Sequence, residues 1–523
     1  MVREGSEGVA VRGDNLIQNL LFWARTTPGK TAIDVDGARL SYAELDRRSD
    51  EMAAGLAALG IGKGDRVGIL MRNRVEFAEA MYAIMKAGAA IVLLNIRYTP
   101  AEIRHPIADA GLTAILTESA LLPLVADALA YVPGLRLFSA DPADGAAPLE
   151  ELRRKGAARP DIDIDGADIA LVSYTSGTTG VPKGAMLSHG AIYAAGAARA
   201  CFVGHSFRER MLLPMPLAYT AGAVFFMRDG INSGCTTWFL RQPTGEAMLD
   251  LIERERITSV QGVTVLFEAM LQSPRFASTD LSSLTHALTG GAMVTRHLLE
   301  AWQARGVQLV QGYGQTESAG SHIAILAGED AKRKMGFCGR PMPNLDLRIV
   351  DGEGNALPPG TPGEIWVRGS SIMTGYLNRP EETAAALAGG WLHTGDIGLL
   401  DAEGYLKILD RTKDMLISGG LNVYPAEIEK VLGDVPGLEE FCIIGVPDPR
   451  WGEVPMIVAS GSAPVDMDRL LLRCRQELAD YKRPRYLVRY ADPMPRTLSG
   501  KITKGTLRAL YCEVPEDAVL LHY

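Results

Sequence analysis

Hydroxyl, glycine and lysine residues are concentrated in the stretch Tyr174–Gly184, which reads YTSGTTGVPKG. Glycine lets a backbone approach a ligand closely, and free N–H groups beside hydroxyls form a nest that binds anions. The pattern predicts a phosphate-binding loop, with a solvated Ser/Thr/Gly turn as the alternative. It is not the Walker loop, in which lysine directly precedes serine or threonine. The predicted loop residues are Thr175, Ser176, Gly177, Thr178, Thr179 and the positively charged Lys183.

Two elements must position this loop. The apolar run Ile169–Tyr174 predicts a buried strand immediately before it. Ser188 is a good N-cap, and the alanine-rich run that follows it to Ala200 predicts a helix. We therefore expect the loop to lie between a strand and a helix.

A second group of candidate residues lies in Gln311–Ser318, which reads QGYGQTES and follows a strand-like run at Val307–Val310. Open α/β sheets bind ligands at such strand ends. A tyrosine between two glycines can stack on a base, a threonine can donate to phosphate, and a carboxylate suits Mg²⁺. The alternative for each is an ordinary polar turn. The residues are Gly312, Tyr313, Gly314, Thr316 and Glu317, with Gly290, Gly291 and Ala292 as a second wall.

Three further residues could act on the same ligand. Asp396, in the Gly-bounded turn predicted for GWLHTGDIG, could accept hydrogen bonds from a ribose diol, and Arg411 in DRTKD could reach that ribose. Lys501 lies in PRTLSGKITK, near the end of the chain. Their alternatives are an Asx-turn, a surface arginine at a domain junction and a solvated lysine.

Composition limits the classes of function. A net charge of −9 argues against broad binding of nucleic acid or of an anionic membrane surface. Six scattered cysteines form no CxxC pair, which argues against a zinc site or disulfide framework and fits a reducing cytoplasm. The N-terminus shows no apolar signal core, and the most apolar run, Ala87–Asn95, is too short to span a bilayer.

The 523 residues are too many for one core. The run Thr31–Val35 predicts a strand, and Ser41 with Glu44 three residues later predicts a capping box that opens a helix. Alternating strands and helices up to about residue 340 predict an α/β fold with mostly parallel sheets. Short strands separated by Gly and Pro from Leu345 onward predict a small β-rich subdomain. A small α+β domain with a helix at Pro425–Leu432 should follow. We expect boundaries at 1–409, a junction at 410–413 and a C-terminal domain at 414–523.

Six motifs in order resemble those of the adenylate-forming superfamily of acyl-CoA and aryl-CoA synthetases, luciferases and adenylation domains. They are YTSGTTGVPKG, QGYGQTE, GEIWVRG with GYLNRPEET, WLHTGDIG, DRTKDMLISGGLNVYPAEIE and PRTLSGKITK. The resemblance implies a reaction in two halves. A carboxylate attacks the α-phosphate of Mg-ATP to give an acyl-adenylate and pyrophosphate, and a thiol, usually that of coenzyme A, then displaces AMP.

The resemblance also implies a role for each candidate residue. Thr175 to Lys183 would hold the β- and γ-phosphates, and Tyr313 would stack on adenine. Thr316 would contact the α-phosphate, Glu317 would hold Mg²⁺, and Asp396 with Arg411 would fix the ribose. Lys501 would offset charge between the carboxylate and the α-phosphate until the C-terminal domain rotates. Lys413 matches the hinge position, and Gly419 and Gly420 match the glycines of the pantetheine tunnel.

The substrate is less defined. Many relatives carry an aromatic–histidine pair where this chain has Ala218-Tyr219, and the smaller side chain favours a medium-to-large apolar or aromatic acid. The alternative is that Ala218 faces away from the pocket. No aspartate stands in Leu217–Gly222 to hold an amino-acid ammonium. The predicted acyl pocket comprises Tyr219, Val265 and Gly290.

The acceptor, the oligomeric state and the class of function have alternatives. A carrier-protein phosphopantetheine could replace free coenzyme A, and the oligomeric state is open. An oxygen-dependent luciferase, a nucleotide-binding protein without chemistry, and a P-loop NTPase remain as alternative functions. Light emission or oxygen uptake would reveal the first, and ADP as product would indicate the last.

Overall fold

The computed structural model describes residues 14–175, 182–291, 294–320, 322–326, 330–411, 414–418, 421–496 and 502–523. The chain divides into two compact units, one of residues 1–347 with 367–392 and the other of residues 348–366 with 393–523. This division differs from the boundaries at 409 and 414, which stay a prediction. In the described residues, no helix is both long enough and apolar enough to span a membrane.

The strands have the following bounds in the described residues: β1 Thr31–Val35, β2 Ala38–Ser41, β3 Arg66–Leu70, β4 Ala90–Leu93, β5 Ala114–Thr117, β6 Arg136–Ser139, β7 Ala147–Pro148, β8 Ile169–Thr175, β9 Lys183–Ser188, β10 Arg210–Leu212, β11 Thr236–Phe239, β12 Ser259–Val263, β13 His286–Gly290, β14 Leu309–Tyr313, β15 Ala324–Leu326, β16 Arg340–Pro341, β17 Leu345–Val350, β18 Gly363–Gly369, β19 Gly375–Tyr376, β20 Leu392–Leu400, β21 Leu406–Arg411, β22 Leu416–Ser418, β23 Leu421–Val423, β24 Glu440–Asp448, β25 Gly452–Ser460, β26 Tyr486–Tyr490 and β27 Val519–Leu520.

The α-helices have these bounds: α1 Leu16–Thr26, α2 Tyr42–Ala58, α3 Val75–Lys86, α4 Pro100–Asp109, α5 Leu122–Val125, α6 Ala128–Tyr131, α7 His189–Val203, α8 Thr220–Phe225, α9 Gly245–Arg254, α10 Thr264–Gln272, α11 Arg296–Ala304, α12 Asp330–Arg333, α13 Pro380–Ala386, α14 Pro425–Leu432, α15 Met467–Glu477 and α16 Lys504–Leu510. A π-helix, Phe226–Ile231, continues α8, and a 3₁₀ turn, Thr316–Ser318, follows β14.

Two large sheets form the first unit. One has the order β16-β15-β14-β13-β12-β10-β11-β1-β2, and the other β19-β9-β8-β4-β3-β5-β6-β7. Every pairing among β10 to β14 is parallel, as is every pairing among β3 to β8. Strands β3, β4 and β5 are rich in Val, Ile and Leu and are buried at nearly every position, which is typical of parallel strands covered by helices on both faces. The α/β fold class is confirmed.

Aromatic side chains pack together in the core that borders the nine-stranded sheet. Trp302 on α11 is fully buried, and its ring meets Phe267 and Phe276 edge-on with centroids 5.3 and 4.9 Å apart. Such edge-to-face pairs contribute beyond their buried area. This cluster fixes α10 and α11, which connect the strands whose ends bear the second group of candidate residues.

Local signals set several element ends. Ser41 caps α2 by accepting from Glu44 N at 3.2 Å, while the Glu44 carboxylate accepts from Ser41 N at 2.8 Å. This reciprocal pair is the capping box that the sequence predicts. Ser188 likewise caps α7 by accepting from Ala191 N at 3.1 Å.

The expected strand–loop–helix setting of the phosphate loop is wrong. An additional strand, β9, begins at Lys183 and pairs antiparallel with β8, so the loop connects two strands of a hairpin. Ala185 and Leu187 of β9 are fully buried, and β19 pairs with its other edge. The run is only six residues long and includes a charge and a glycine, so its strand character depends on these two neighbours.

The second unit contains a β-rich sheet of order β23-β22-β25-β26-β27, with β24 also paired to β25. Helices α14 and α15 pack on this sheet through Ile428, Leu432, Leu470 and Cys474. The predicted helix at Pro425–Leu432 is confirmed with the same bounds. The small α+β domain therefore has its own hydrophobic core.

Candidate functional site

Three parallel strands of the nine-stranded sheet end in register. Val263 of β12 lies opposite Gly290 of β13, and Gly290 lies opposite Gly312 of β14. Gly291 follows with φ +80°, a conformation that side chains rarely adopt. Tyr313, the last residue of β14, is 8% exposed. The structure thus brings the two predicted walls together at the carboxyl edge of the sheet, where such folds bind ligands.

The predicted pocket residue Val265 has a more exterior position. Its side chain is 58% exposed, on the first turn of α10. A methyl group added at Gly291 would instead lie 3.5 Å from Val263 Cγ1. Val263 therefore borders the glycine wall, and its register opposite Gly290 depends on strand pairing that the sequence does not reveal. The role of Val265 stays a prediction.

Thr316 is linked by hydroxyl groups to the second sheet. Its Oγ1 donates to Thr220 Oγ1 at 3.3 Å, and Thr220 Oγ1 lies 2.5 Å from Ser173 Oγ near the end of β8. Sequence reasoning missed both partners, although Thr220 directly follows the pocket candidate Tyr219. These three hydroxyls place the start of the phosphate loop beside the residue predicted to contact the α-phosphate.

Glu317 and Lys183 meet across one tyrosine ring. The Tyr376 hydroxyl donates to Glu317 Oε1 at 2.9 Å, and Lys183 Nζ lies 5.4 Å from the centroid of the same ring. Burial and the Glu317 charge raise the pKa of Tyr376 well above its usual range, so the phenol stays protonated. Sequence reasoning assigned Tyr376 no role, although it lies in the motif GYLNRPEET.

A buried ionic network supports the turn that carries Glu317. Arg228 Nη1 donates to the carbonyls of Ala319 at 3.0 Å and Gly320 at 2.5 Å. Its other nitrogens form a bidentate pair with Asp229, both at 2.9 Å, and Arg199 Nε lies 3.1 Å from the same carboxylate. Asp229 and both arginines are at most 1% exposed. Planar guanidinium groups suit such bidentate, buried pairing.

The base of the phosphate-loop hairpin is held by α4. His105 Nε2 lies 2.8 Å from the Pro182 carbonyl, and Tyr174 Oη donates to Asp109 Oδ2 at 2.7 Å. Thr175 Oγ1 lies 3.5 Å from the Lys183 carbonyl across the two strands. Both ends of the predicted loop are therefore fixed, and the segment 176–181 between them lies outside the described residues.

Asp396 and Arg411 are brought together in the second unit. They lie directly opposite each other on β20 and β21, with Arg411 Nε 3.2 Å from Asp396 Oδ1. The Gly-bounded turn predicted around Asp396 is wrong, because strand pairing extends β20 through the glycines. Thr394 Oγ1 accepts from Asp396 N at 3.1 Å and donates to Ile365 O at 2.6 Å, which fixes the main chain that carries Asp396.

Tyr219 carries a buried hydroxyl that has no hydrogen-bond partner within the described part of the chain. Burial raises the pKa of this phenol, and the Arg97 charge opposes the increase. The preceding residue, Ala218, is 3% exposed. The next residue, Thr220, contacts Thr316, the residue predicted to contact the α-phosphate. The role of Tyr219 in an acyl pocket stays a prediction.

Several predicted residues have no described placement. They lie in the segments 176–181, 292–293, 412–413, 419–420 and 497–501, and their roles stay predictions. These residues are Ser176, Gly177, Thr178, Thr179, Ala292, Lys413, Gly419, Gly420 and Lys501.

Comparison with known proteins gives matches along most of the chain. Residues 21–377 match the family model described as AMP-binding enzyme, and residues 427–501 match the AMP-binding enzyme C-terminal domain. A feruloyl-CoA synthase from an Amycolatopsis species is 39% identical, over 93% of this chain and 96% of the relative. The long-chain-fatty-acid–CoA ligase FadD13 of Mycobacterium tuberculosis is 37% identical, over 90% of this chain and 93% of the relative.

A solved structure agrees with these relatives. The o-succinylbenzoate coenzyme A synthetase of Bacillus subtilis, in complex with ATP and magnesium ion, superposes with a TM-score of 0.84. The two chains are 31% identical, and the match covers 94% of this chain and 99% of that one.

Proposed function

Because the chain belongs to the AMP-binding enzyme family and its relatives are named as CoA synthases and CoA ligases, we propose that it is an AMP-forming ligase that joins a medium-to-large apolar or aromatic acid to coenzyme A. In the first half, a carboxylate oxygen attacks the α-phosphorus of ATP, and pyrophosphate leaves with the bonding electrons. In the second half, the coenzyme A thiolate attacks the acyl carbon, and AMP leaves. The single observation that best supports this proposal is the convergence of Lys183, Thr316 and Glu317.

Each of these residues has a task in the first half-reaction. Lys183 contributes positive charge to the leaving pyrophosphate, and Thr316 donates to the α-phosphate that is attacked. No side chain needs to form a covalent intermediate, so catalysis depends on positioning and charge stabilisation. Contact with the Thr220 hydroxyl, which lies 2.5 Å from Ser173 Oγ, holds the Thr316 side chain in this place. The Thr316 hydroxyl has one proton, so it must turn from Thr220 to the phosphate when ATP binds. Asp396 and Arg411 hold the ribose, and Lys501 offsets charge as the two anions meet.

Glu317 is suited to hold Mg²⁺. It is a carboxylate that is 7% exposed, and Mg²⁺ is usually bound by one or two carboxylates together with substrate phosphates. When bound, Mg²⁺ neutralises charge on the phosphate oxygens. The hydrogen bond from Tyr376 is the kind of outer contact that fixes a ligating carboxylate.

The acyl group would enter beside Tyr219. Ala218 contributes little volume there, and the glycines at 290 and 291 leave further room, which supports a bulky acid. The relatives are named for an aromatic acid and for long-chain fatty acids. The Tyr219 hydroxyl has no hydrogen-bond partner among the described residues. Because a buried hydroxyl without a partner is costly, this favours an aromatic acid whose ring bears a hydrogen-bonding substituent.

A pyrophosphate-release screen tests the proposal. It compares acetate, hexadecanoate, indole-3-acetate and hydroxycinnamates, each with ATP, Mg²⁺ and coenzyme A. Bulky acids should give the highest kcat/KM, and Tyr219→Phe should lower kcat/KM most for ring-substituted acids. A preference for acetate would contradict the large pocket. Equal loss for all acids would contradict the role of the Tyr219 hydroxyl.

The acceptor is tested in the same assay. Free coenzyme A should yield a thioester, as the names of the relatives indicate. A thioester that forms only when a phosphopantetheinylated carrier protein replaces coenzyme A would contradict this part of the proposal.

We place the reaction in the cytoplasm, because all six cysteines are free thiols, as expected in a reducing compartment.

A further inference from the structure

We infer that Tyr376 is a positioning residue that connects the phosphate contact of Lys183 to the metal ligand Glu317. The inference rests on the roles proposed above for Lys183 and Glu317. It assigns a task to the motif GYLNRPEET, which neither contains a nucleophile nor supplies any of the predicted ligand contacts.

The main chain around Tyr376 bridges the two loops. Met373 N donates to the Glu317 carbonyl at 2.8 Å, and Leu377 N donates to the Gly184 carbonyl at 2.8 Å. Gly375 and Tyr376 also pair with Met186 and Ala185 on β9, the strand that begins at Lys183. The segment Met373–Leu377 therefore holds the end of the phosphate loop and the Glu317 turn at a fixed separation.

The rest of the motif fixes Tyr376 within this bridge. Thr383 Oγ1, on α13, accepts from Tyr376 N at 2.8 Å. A Cβ at Gly375 would lie 2.6 Å from Thr383 Cγ2, so the close approach of α13 to the strand requires glycine. The glycine, the tyrosine and the threonine of the motif thus act together on one ring.

The ring then contacts both functional groups. Its hydroxyl donates to Glu317 Oε1 at 2.9 Å, and its face lies 5.4 Å from Lys183 Nζ. A neutral phenol orients the carboxylate without neutralising it, whereas a lysine or arginine in this place would compete with Mg²⁺ for the negative charge. The aromatic face attracts the ammonium in the same neutral way. One uncharged side chain therefore contacts both a cation and an anion, to which the proposed function assigns the phosphates and the metal.

The experiment measures acid-dependent exchange of pyrophosphate into ATP as a function of Mg²⁺ concentration. Tyr376→Phe removes the hydroxyl and keeps the ring. It should raise the Mg²⁺ concentration at half-maximal exchange about tenfold or more, as is typical when an outer partner of a metal ligand is lost. Thioester formation from supplied acyl-adenylate should keep its wild-type rate. Tyr376→Leu, which also removes the ring, should additionally raise KM for ATP.

Two other variants make the result decisive. Tyr42→Phe removes a buried tyrosine hydroxyl that donates to the Cys235 carbonyl at 2.7 Å, and its Mg²⁺ dependence should equal that of the wild type. Glu317→Gln should shift the Mg²⁺ dependence more than Tyr376→Phe does.

The outcomes distinguish a failure of the role of Tyr376 from a failure of the metal assignment of Glu317. An unchanged Mg²⁺ dependence in Tyr376→Phe, together with a shift in Glu317→Gln, would overturn the inference alone. No shift in Glu317→Gln would overturn the metal assignment in the proposed function. Equal losses in exchange and in thioester formation for Tyr376→Phe would indicate a merely structural role and would also overturn the inference.

Discussion

Replacing Asp229 by asparagine should destabilise the first unit strongly. The Asp229 side chain is fully buried and is shared by two guanidinium groups, with three nitrogen–oxygen distances of 2.9 to 3.1 Å. Removing one member of a buried ion pair costs about 3–5 kcal/mol, because the remaining charge has no compensation. In this network two arginines, Arg199 and Arg228, would lose their carboxylate together.

This loss of stability corresponds to a decrease in the melting temperature. The first unit has roughly 370 residues, so at about 2.1 cal/mol/K per residue its unfolding entropy is about 0.8 kcal/mol/K. The Asp229→Asn variant should therefore melt about 4–6 °C below the wild type. Because Arg228 also holds the Ala319 and Gly320 carbonyls, the variant should raise KM for Mg-ATP as the Glu317 turn loosens.

Differential scanning fluorimetry at pH 7 measures the first effect and pyrophosphate exchange the second. The matched control is Asp127→Asn, which removes an exposed carboxylate 3.0 Å from Arg104. Exposed pairs contribute little, so this control should melt within about 1 °C of the wild type. An Asp229→Asn variant that melts as the wild type does would refute the assigned role of the buried network.

The remaining predictions concern the two half-reactions and acid stability. Lys501→Ala should slow adenylation about a hundredfold or more, because the transition state loses roughly 3 kcal/mol of stabilisation. The variant should largely keep thioester formation from supplied acyl-adenylate. Pyrophosphate exchange at the wild-type rate would contradict this prediction. Asp396→Asn should reduce the preference for ATP over 3′-deoxy-ATP, measured as a ratio of kcat/KM, and an unchanged ratio would argue against ribose binding. Burial acts to raise the pKa of Asp229, but the Arg199 and Arg228 charges outweigh it and hold the pKa below its usual range. The stability gap between wild type and Asp229→Asn should thus be constant from pH 7 to 5 and narrow below about pH 4, and a constant gap at pH 3 would contradict the assignment.

Local signals predicted much of the fold. The strand Thr31–Val35, the capping box at Ser41 and the helix Pro425–Leu432 follow from periodicity and capping, which depend only on neighbouring residues. Strand β9 could not be predicted in this way, because its six residues acquire strand character from pairing with β8 and β19. The turn that the sequence predicts at Asp396 is wrong for the same reason, because pairing with β21 accommodates the neighbouring glycines within a strand.

The residues of the candidate site also differ in how far local sequence signals predict them. Residues that would touch the ligand were identified by motif, but the residues that hold them were not. Tyr376 lies 59 positions from Glu317, and Arg228 lies 91 positions from Ala319. No local rule connects such residues, so their contribution emerges only when the sheets and the π-helix bring them together.

Transfer of an oxygen atom tests the central claim most directly. The acid is supplied with both carboxylate oxygens labelled as ¹⁸O, together with ATP and coenzyme A, and the products are analysed by mass spectrometry. If the carboxylate attacks the α-phosphorus and the thiolate then attacks the acyl carbon, one ¹⁸O must appear in AMP, with unlabelled pyrophosphate. Label in inorganic phosphate with ADP as the nucleotide product, or AMP without label, would contradict the account.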